Sequence, residues 1–209
     1  TIAALTAAGK VVVVVDLTDG EPTPQGSKEI RKQETEQANE ILQISERYNL
    51  DLKNREVFDT VENRKKLAAI IREVRPKLLC IPYWEDGHPD HIQSCALGEA
   101  ARFYAKLVKS DLPHAPHYPR KILHYFCTHI RPKIQPSFVF DITAQIDRKM
   151  RAIEAYRSQF IINQANSKVL EWVRTESAHW GFQIGVEFGE PFIGREHIRI
   201  PSPDAFLNV

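Results

Sequence analysis

Lys77-Leu-Leu-Cys-Ile-Pro-Tyr-Trp-Glu-Asp-Gly-His-Pro-Asp-His91 decides the fold. Its first part, Lys77 to Pro82, is a short apolar run of the kind that forms a strand buried on both faces. Tyr83 to Pro89 is a polar loop, and Asp90 to about Lys109 continues as a helix. Upstream, Leu67, Ile70, Ile71 and Val74 recur at helical spacing within Val61 to Arg75, and Pro76 stops that helix. Helix, buried strand, loop and helix in succession are the unit of a parallel sheet. The same unit opens the chain. Val11 to Leu17 is nearly continuous and β-branched, which predicts a second doubly buried strand. Thr18 to Ser27 is a Gly/Pro-rich loop. Ser27 caps a helix predicted over Lys28 to Tyr48, with Glu29 in its first turn and Ala38, Ile41, Leu42 and Ile44 as its apolar stripe. Further strands are predicted at Val57 to Phe58, Ile122 to Phe126 and Ser137 to Asp141. Further helices are predicted at Ile142 to Phe160 and Asn166 to Gly181, with a looped tail and a short strand over Val186 to Ile200. The class is α/β with a mostly parallel sheet.

The 209 residues are enough for one domain. With 43% hydrophobic and 26% charged residues the chain is not a disordered one. A net charge of +1, from 28 basic and 27 acidic residues, leaves no broad footprint for nucleic acid or an anionic membrane. The longest apolar run, Val11 to Val15, is strand-sized, so no membrane span is expected. Cys80, Cys95 and Cys127 have no motif spacing and read as reduced, cytoplasmic-type residues. Thr1 to Ala8 reads as the last turns of a helix closed by Gly9. From this start the chain is expected to be a single domain, residues 1–209, truncated at its N-terminus.

In open parallel sheets ligands gather beyond the carboxyl ends of the strands. Two loops there are rich in chemistry. Glu85 to His91 carries two histidines and three carboxylates in seven residues. His88 and His91 are three apart and can share one face of a helix start. A metal or acid/base site is one reading, and a polar loop with a capping Asp is the other. In Asp16 to Glu21, Thr18 and Glu21 are either substrate-positioning groups or members of a solvated turn. Arg31, a cation in a helix's first turn, either meets an anionic ligand or pairs with Glu34 or Thr35. His114 and His117 lie among prolines and read as a rigid surface loop. His124, His129, His179 and His197 have no informative spacing. The chain has no G-x-S-x-G, no G-x-G-x-x-G and no phosphate-binding loop.

Several stretches in order resemble one family. These are Thr1 to Lys10 with Val15-Asp-Leu-Thr-Asp-Gly-Glu21, Ile30-Arg-Lys-Gln-Glu34, Arg75-Pro-Lys-Leu78 with Asp86-Gly-His-Pro-Asp-His91, Pro136 to Ile142, Ala155 to Phe160, and Ile184 to Phe192. Together they resemble the LmbE-like/PIG-L zinc-dependent N-deacetylases, and the last three resemble the branch that acts on N-acetylglucosaminyl malate. The resemblance implies a Rossmann-like three-layer sandwich, Zn(2+) as cofactor, and hydrolysis of an N-acetyl group to acetate and a free amine. It makes His91 a zinc ligand, His88 the catalytic imidazole that stabilises an oxyanion, Asp90 a catalytic group orienting a neighbour, and Arg31, with Thr18 and Glu21, substrate-binding. It implies a small N-acetylglucosaminyl conjugate as partner and a cytoplasmic homo-oligomer, with no nucleic acid and no membrane span.

The chain departs from the family in three places. The family's first motif, His-Pro-Asp-Asp-x-Glu, does not occur; the only His-Pro-Asp is His88 to Asp90. That motif supplies the remaining zinc ligands and the general base, so the chain is expected to hold zinc weakly by itself. Phe188 stands where relatives often have Tyr, and Glu21-Pro-Thr-Pro24 replaces a Gly-rich loop. The alternatives are a non-catalytic truncated homologue, or an amidase for another sugar or thiol conjugate.

Overall fold

A computed structural model describes residues 1–200 together with Ser202 and Asp204. The elements run α1 (Ile2–Ala7), β1 (Val13–Asp16), α2 (Lys28–Leu42), β2 (Glu46–Asn49), α3 (Val61–Val74), β3 (Leu78–Pro82), α4 (Pro89–Ala105), β4 (Lys121–Tyr125), β5 (Phe138–Asp141), α5 (Ile146–Glu154), α6 (Val169–Gln183) and β6 (Gly189–Ile193). The alternation is α/β, as the sequence implies.

The strands form two sheets among the described residues. β1 pairs with β2 alone, in parallel. The second sheet has the order β3-β4-β6-β5. There β3 and β4 are parallel, while β6 runs antiparallel to both β4 and β5. The expectation of a mostly parallel sheet is therefore corrected: two pairings are parallel and two antiparallel. The reason lies at the chain's end, where β6 returns between β4 and β5 straight after α6 and needs no crossover.

Helices α3 and α4 pack on each other, and α4 packs on β3. Ala68, Ile71, Ala101 and Ala105 fill that contact, with Leu79 of β3 against it. Small residues at facing positions let the two helices approach closely. On another flank α5 packs on both α2 and α6. Ile142, Ile146 and Met150 form the core there, with Val173 and Phe188 against it.

Local chemistry sets the helix ends. Ser27 Oγ accepts from Ile30 N, and Thr60 Oγ1 accepts from Asn63 N. α2 stops at Leu42, with Gln43 left-handed at φ 54°, so the helix predicted to Tyr48 is six residues too long. Glu46-Arg-Tyr-Asn49 is instead a strand, and Val57 to Phe58 is not one. β2 is polar because it lies at an edge, pairing with β1 only among the described residues. The predicted helix Ile142 to Phe160 is broken into a 3-10 turn at Thr143–Gln145, then α5, then a π-helical turn at Ser158–Ile162.

The two runs predicted to be buried on both faces are not. Every residue of β1 is half-buried. On β3, Leu79 faces α3 and α4 and Ile81 faces Gly98 of α4, but Cys80, on the opposite face, is exposed. These strands carry the composition of central strands, while each keeps one unpaired edge among the described residues.

Candidate active site and metal centre

β3 ends at Pro82 and feeds the loop that precedes α4. His88 is the N-cap of α4, with Pro89 at the first helical position. Its ring Nδ1 accepts from the Asp90 backbone amide at 3.1 Å. With Nδ1 used as an acceptor, the neutral ring carries its proton on Nε2 and presents a donor there. Asp86 braces the same loop, its Oδ1 accepting from His88 N at 2.7 Å.

The His88 and His91 rings stack 4.8 Å apart at 22°. A third imidazole, His129, lies 5.3 Å from His88 and 5.2 Å from His91. His129 follows β4, so it reaches the same carboxyl edge from the neighbouring strand. Gly87 permits this approach, since a Cβ there would come within 3.2 Å of Ile130 Cγ2 and 3.4 Å of His129 Cβ.

Asp86, His91 and Cys127 each bring one donor atom, and these atoms lie within 4.8 Å of one another. His91 Nδ1 is 3.2 Å from Asp86 Oδ1, and this buried nitrogen has no other partner among the described residues. Burial holds the His91 imidazole below its ordinary pKa, against the opposing pull of Asp86. Burial and the Asp86 carboxylate push the Cys127 thiol up to about 12. Imidazole nitrogen, carboxylate oxygen and sulfur are a zinc-type donor set, and an orphaned buried nitrogen among them fits a cation. The sequence supplies His91 for such a set, but no third group was legible in it. Asp86 and Cys127 are the groups that were missed, along with His129. Their one signal is that each follows the carboxyl end of a strand, β3 or β4.

The other expected residues divide. Asp90 is buried, and its carboxylate accepts from the backbone amides of Arg55 at 2.7 Å and Val57 at 3.3 Å. It thereby ties α4 to the loop after β2. Arg55 in turn donates to the Pro22 carbonyl at 2.6 Å, which joins the His88 loop to the Thr18 to Ser27 loop. Within that second loop, Thr18 Oγ1 accepts from Gly20 N and Glu21 binds both Thr23 N and Thr23 Oγ1. Arg31 lies 3.8 Å from both Glu21 and Glu34, with its guanidinium 4.9 Å from the Tyr156 ring centre. Glu34 also accepts from Ser158 N and Oγ, so it is a fixed member of the fold. No hydrogen bond or ion pair among the described residues joins Thr18, Glu21 or Arg31 directly to the imidazoles; Asp90 and Arg55 make the link.

A cluster of imidazoles and a carboxylate thus lies beyond the carboxyl ends of two parallel strands of an α/β fold. The sequence profile of the PIG-L family, described as GlcNAc-PI de-N-acetylase, matches residues 1–102. Diacetylchitobiose deacetylase of Thermococcus kodakarensis is 34% identical over 175 residues, covering 77% of this chain. The chain spans 63% of that relative's length. The structure of the conserved protein TT1542 of Thermus thermophilus is similar at TM-score 0.88 and 33% identity, over 96% of this chain and 89% of that one. N,N'-diacetylchitobiose deacetylase of Pyrococcus horikoshii is similar at TM-score 0.77 and 27% identity, over 98% of this chain and 81% of that one. The chain belongs to the PIG-L (LmbE-like) family. No helix among the described residues is long and apolar enough to cross a membrane.

Proposed function

We propose that this protein takes part in metal-dependent hydrolysis of the N-acetyl group of a neutral N-acetylglucosamine-containing sugar. The observation that carries the reading is the His88, His91 and Asp86 arrangement at the carboxyl edge, in a chain whose relatives include two diacetylchitobiose deacetylases. His91, Asp86 and Cys127 would hold the zinc, which when bound supplies Lewis-acid polarisation of the amide carbonyl. His88 offers its Nε2–H to the oxygen on which negative charge develops. The Asp90 amide on Nδ1 keeps that proton on Nε2, so the imidazole donates without first being protonated. The Asp90 carboxylate fixes the loop after β2 and acts by position. Glu21 and Glu34 neutralise Arg31 twice over, which favours sugar hydroxyls over an anionic aglycone at that residue. A malate conjugate, the finer reading of the sequence, is therefore the second choice.

Three cysteines without a disulfide support a cytoplasmic setting. The rival reading is a non-catalytic homologue. Acetate release from N,N'-diacetylchitobiose and from N-acetylglucosaminyl malate, with and without added zinc, separates the three. Zinc-dependent release from the disaccharide is expected, roughly fivefold or more faster than from the malate conjugate, since about 1 kcal/mol of charge repulsion suffices for that ratio. A folded, zinc-loaded protein with no release from either substrate would overturn the enzymatic reading.

A further inference from the structure

A second cluster lies one helical turn further along α4. Cys95 and Glu99 are four residues apart and so share a face of that helix. His124 reaches them from β4. One donor atom from each residue falls within 4.8 Å of the other two. Cys95 and His124 are each only 1% exposed.

The hydrogen bonding of His124 is incomplete in a specific way. Its Nδ1 lies 3.2 Å from the Ile193 carbonyl oxygen, and its Nε2 lies 3.1 Å from Glu99 Oε1. Both partners are acceptors. A neutral imidazole has one proton to give, so one contact then sets a lone pair against an oxygen. If Nδ1–H serves the carbonyl, Nε2 and Oε1 face each other as two donors suited to one cation. Metal-binding histidines commonly use their second nitrogen in this way, on a backbone carbonyl. Cys95 adds a soft third donor to the same point.

We infer that Cys95, Glu99 and His124 form a second metal site, of the zinc class, that clamps α4 to β4. Imidazole, carboxylate and thiolate suit zinc, with a fourth position left for water. Uptake replaces the Cys95 thiol proton, which leaves to solvent. A cavity of about 230 Å³ lined by Glu99, His124, Arg102, Tyr118, Arg195 and Glu196 provides the way in. Arg195 closes it, with Nε 2.7 Å from Glu99 Oε1 and its guanidinium 4.0 Å from the Trp84 ring centre. The Trp84 ring stands edge-on to His124 at 5.0 Å. Arg195 is half exposed and must yield part of Glu99 when the ion enters. The site is separate in composition from the Asp86, His91 and Cys127 set and is independent of any deacetylase activity.

Cobalt(II) is the probe, because a bound thiolate gives it a near-ultraviolet charge-transfer band. The metal-free Cys127→Ser chain removes the sulfur of the first centre and is titrated with cobalt. The band is expected to persist there and to vanish in Cys127→Ser/Cys95→Ser. Glu99→Gln in the Cys127→Ser background, a change at a half-buried position, is expected to weaken cobalt at least about tenfold. It keeps the question decidable should the Cys95 variant not fold. Loss of the band in Cys127→Ser alone, or unchanged cobalt affinity in Glu99→Gln, overturns the site.

Discussion

At the scale of single residues, the two histidines of one motif have different environments and should fail differently. His91 brings to Asp86 and Cys127 a buried nitrogen without a hydrogen-bond partner among the described residues, whereas His88 has one nitrogen accepting from a backbone amide. His91→Ala removes one of the three donors proposed for the first centre, so metal retention there should be lost. His88→Ala should retain metal and, if His88 is the proposed oxyanion donor, reduce turnover on the order of 10²- to 10³-fold. Metal content after gel filtration, measured beside acetate release, checks both; equal metal in the two variants contradicts the division. The motif itself was readable because both histidines lie within four consecutive residues. Cys127 and His129 were not readable, because 36 and 38 residues separate them from His91 and only the β3-β4 pairing brings them close. Asp90 shows the opposite limit: its position was visible, but its partners are backbone amides of a loop that carries no sequence mark.

At the scale of elements, the crossing of α6 and β6 depends on two glycines. A Cβ on Gly181 would sit 2.5 Å from the Glu187 carbonyl carbon and the Phe188 nitrogen. A Cβ on Gly189 would sit 2.6 Å from Val139 Cγ1. Backbone cannot rotate away as a side chain can, so Gly181→Ala must shift the helix. Helix propensity favours alanine by about 1 kcal/mol. Overpacking against the main chain opposes it with about 1–3 kcal/mol or more. A net loss of stability is expected, read as a lower denaturant midpoint at unchanged m; an unchanged or raised midpoint would contradict the close crossing. β3 gives a second element-scale test. Cys80 is open to water on the face away from α4, yet burial of its surroundings pushes the thiol up to about 11. A raised pKa lowers the thiolate fraction, so at pH 8 Cys80 should be alkylated more slowly than free cysteine. Peptide mapping after a timed iodoacetamide pulse measures it, and modification at the free-cysteine rate would show that the opening is wide. Apolar runs such as Val11 to Val15 told strand from helix correctly. They could not tell how many neighbours a strand has, since composition records what a strand is suited to bury and pairing is settled elsewhere. The reverse error at Glu46 to Asn49 has the same origin: a polar edge strand after a helix reads as more helix until Gln43 is seen to turn left-handed.

At the scale of the whole molecule, the unpaired edges are the feature with the largest consequence. Among the described residues β1 pairs only with β2 and β3 pairs only with β4, so each offers a row of N–H and C=O groups outside any ladder along one side. Such edges recruit strands from other chains unless they are short, charged, bulged or covered. β1 is short, but it reads Val-Val-Val-Asp, with its three valines all half-exposed. β3 reads Leu-Leu-Cys-Ile-Pro, with no charge and Pro only at its end. Neither carries the lysine that commonly protects an edge. The net charge of +1 provides little long-range repulsion to keep copies apart. These 209 residues are therefore expected to self-associate through strand edges. Light scattering coupled to size-exclusion chromatography should show mass rising with concentration over the micromolar range. Val14→Lys places a charge within the β1 edge without touching the imidazole cluster, and it should shift the distribution toward monomer while leaving first-centre metal binding intact. A chain that stays monomeric at every concentration, or a Val14→Lys variant that associates as strongly as its parent, would locate the association elsewhere or remove it. The sign of the Val14→Lys effect on stability separates the two roles of β1. Valines that line an open edge predict a more soluble variant at little cost in stability, and a variant that unfolds markedly more easily would show that they cover the core instead.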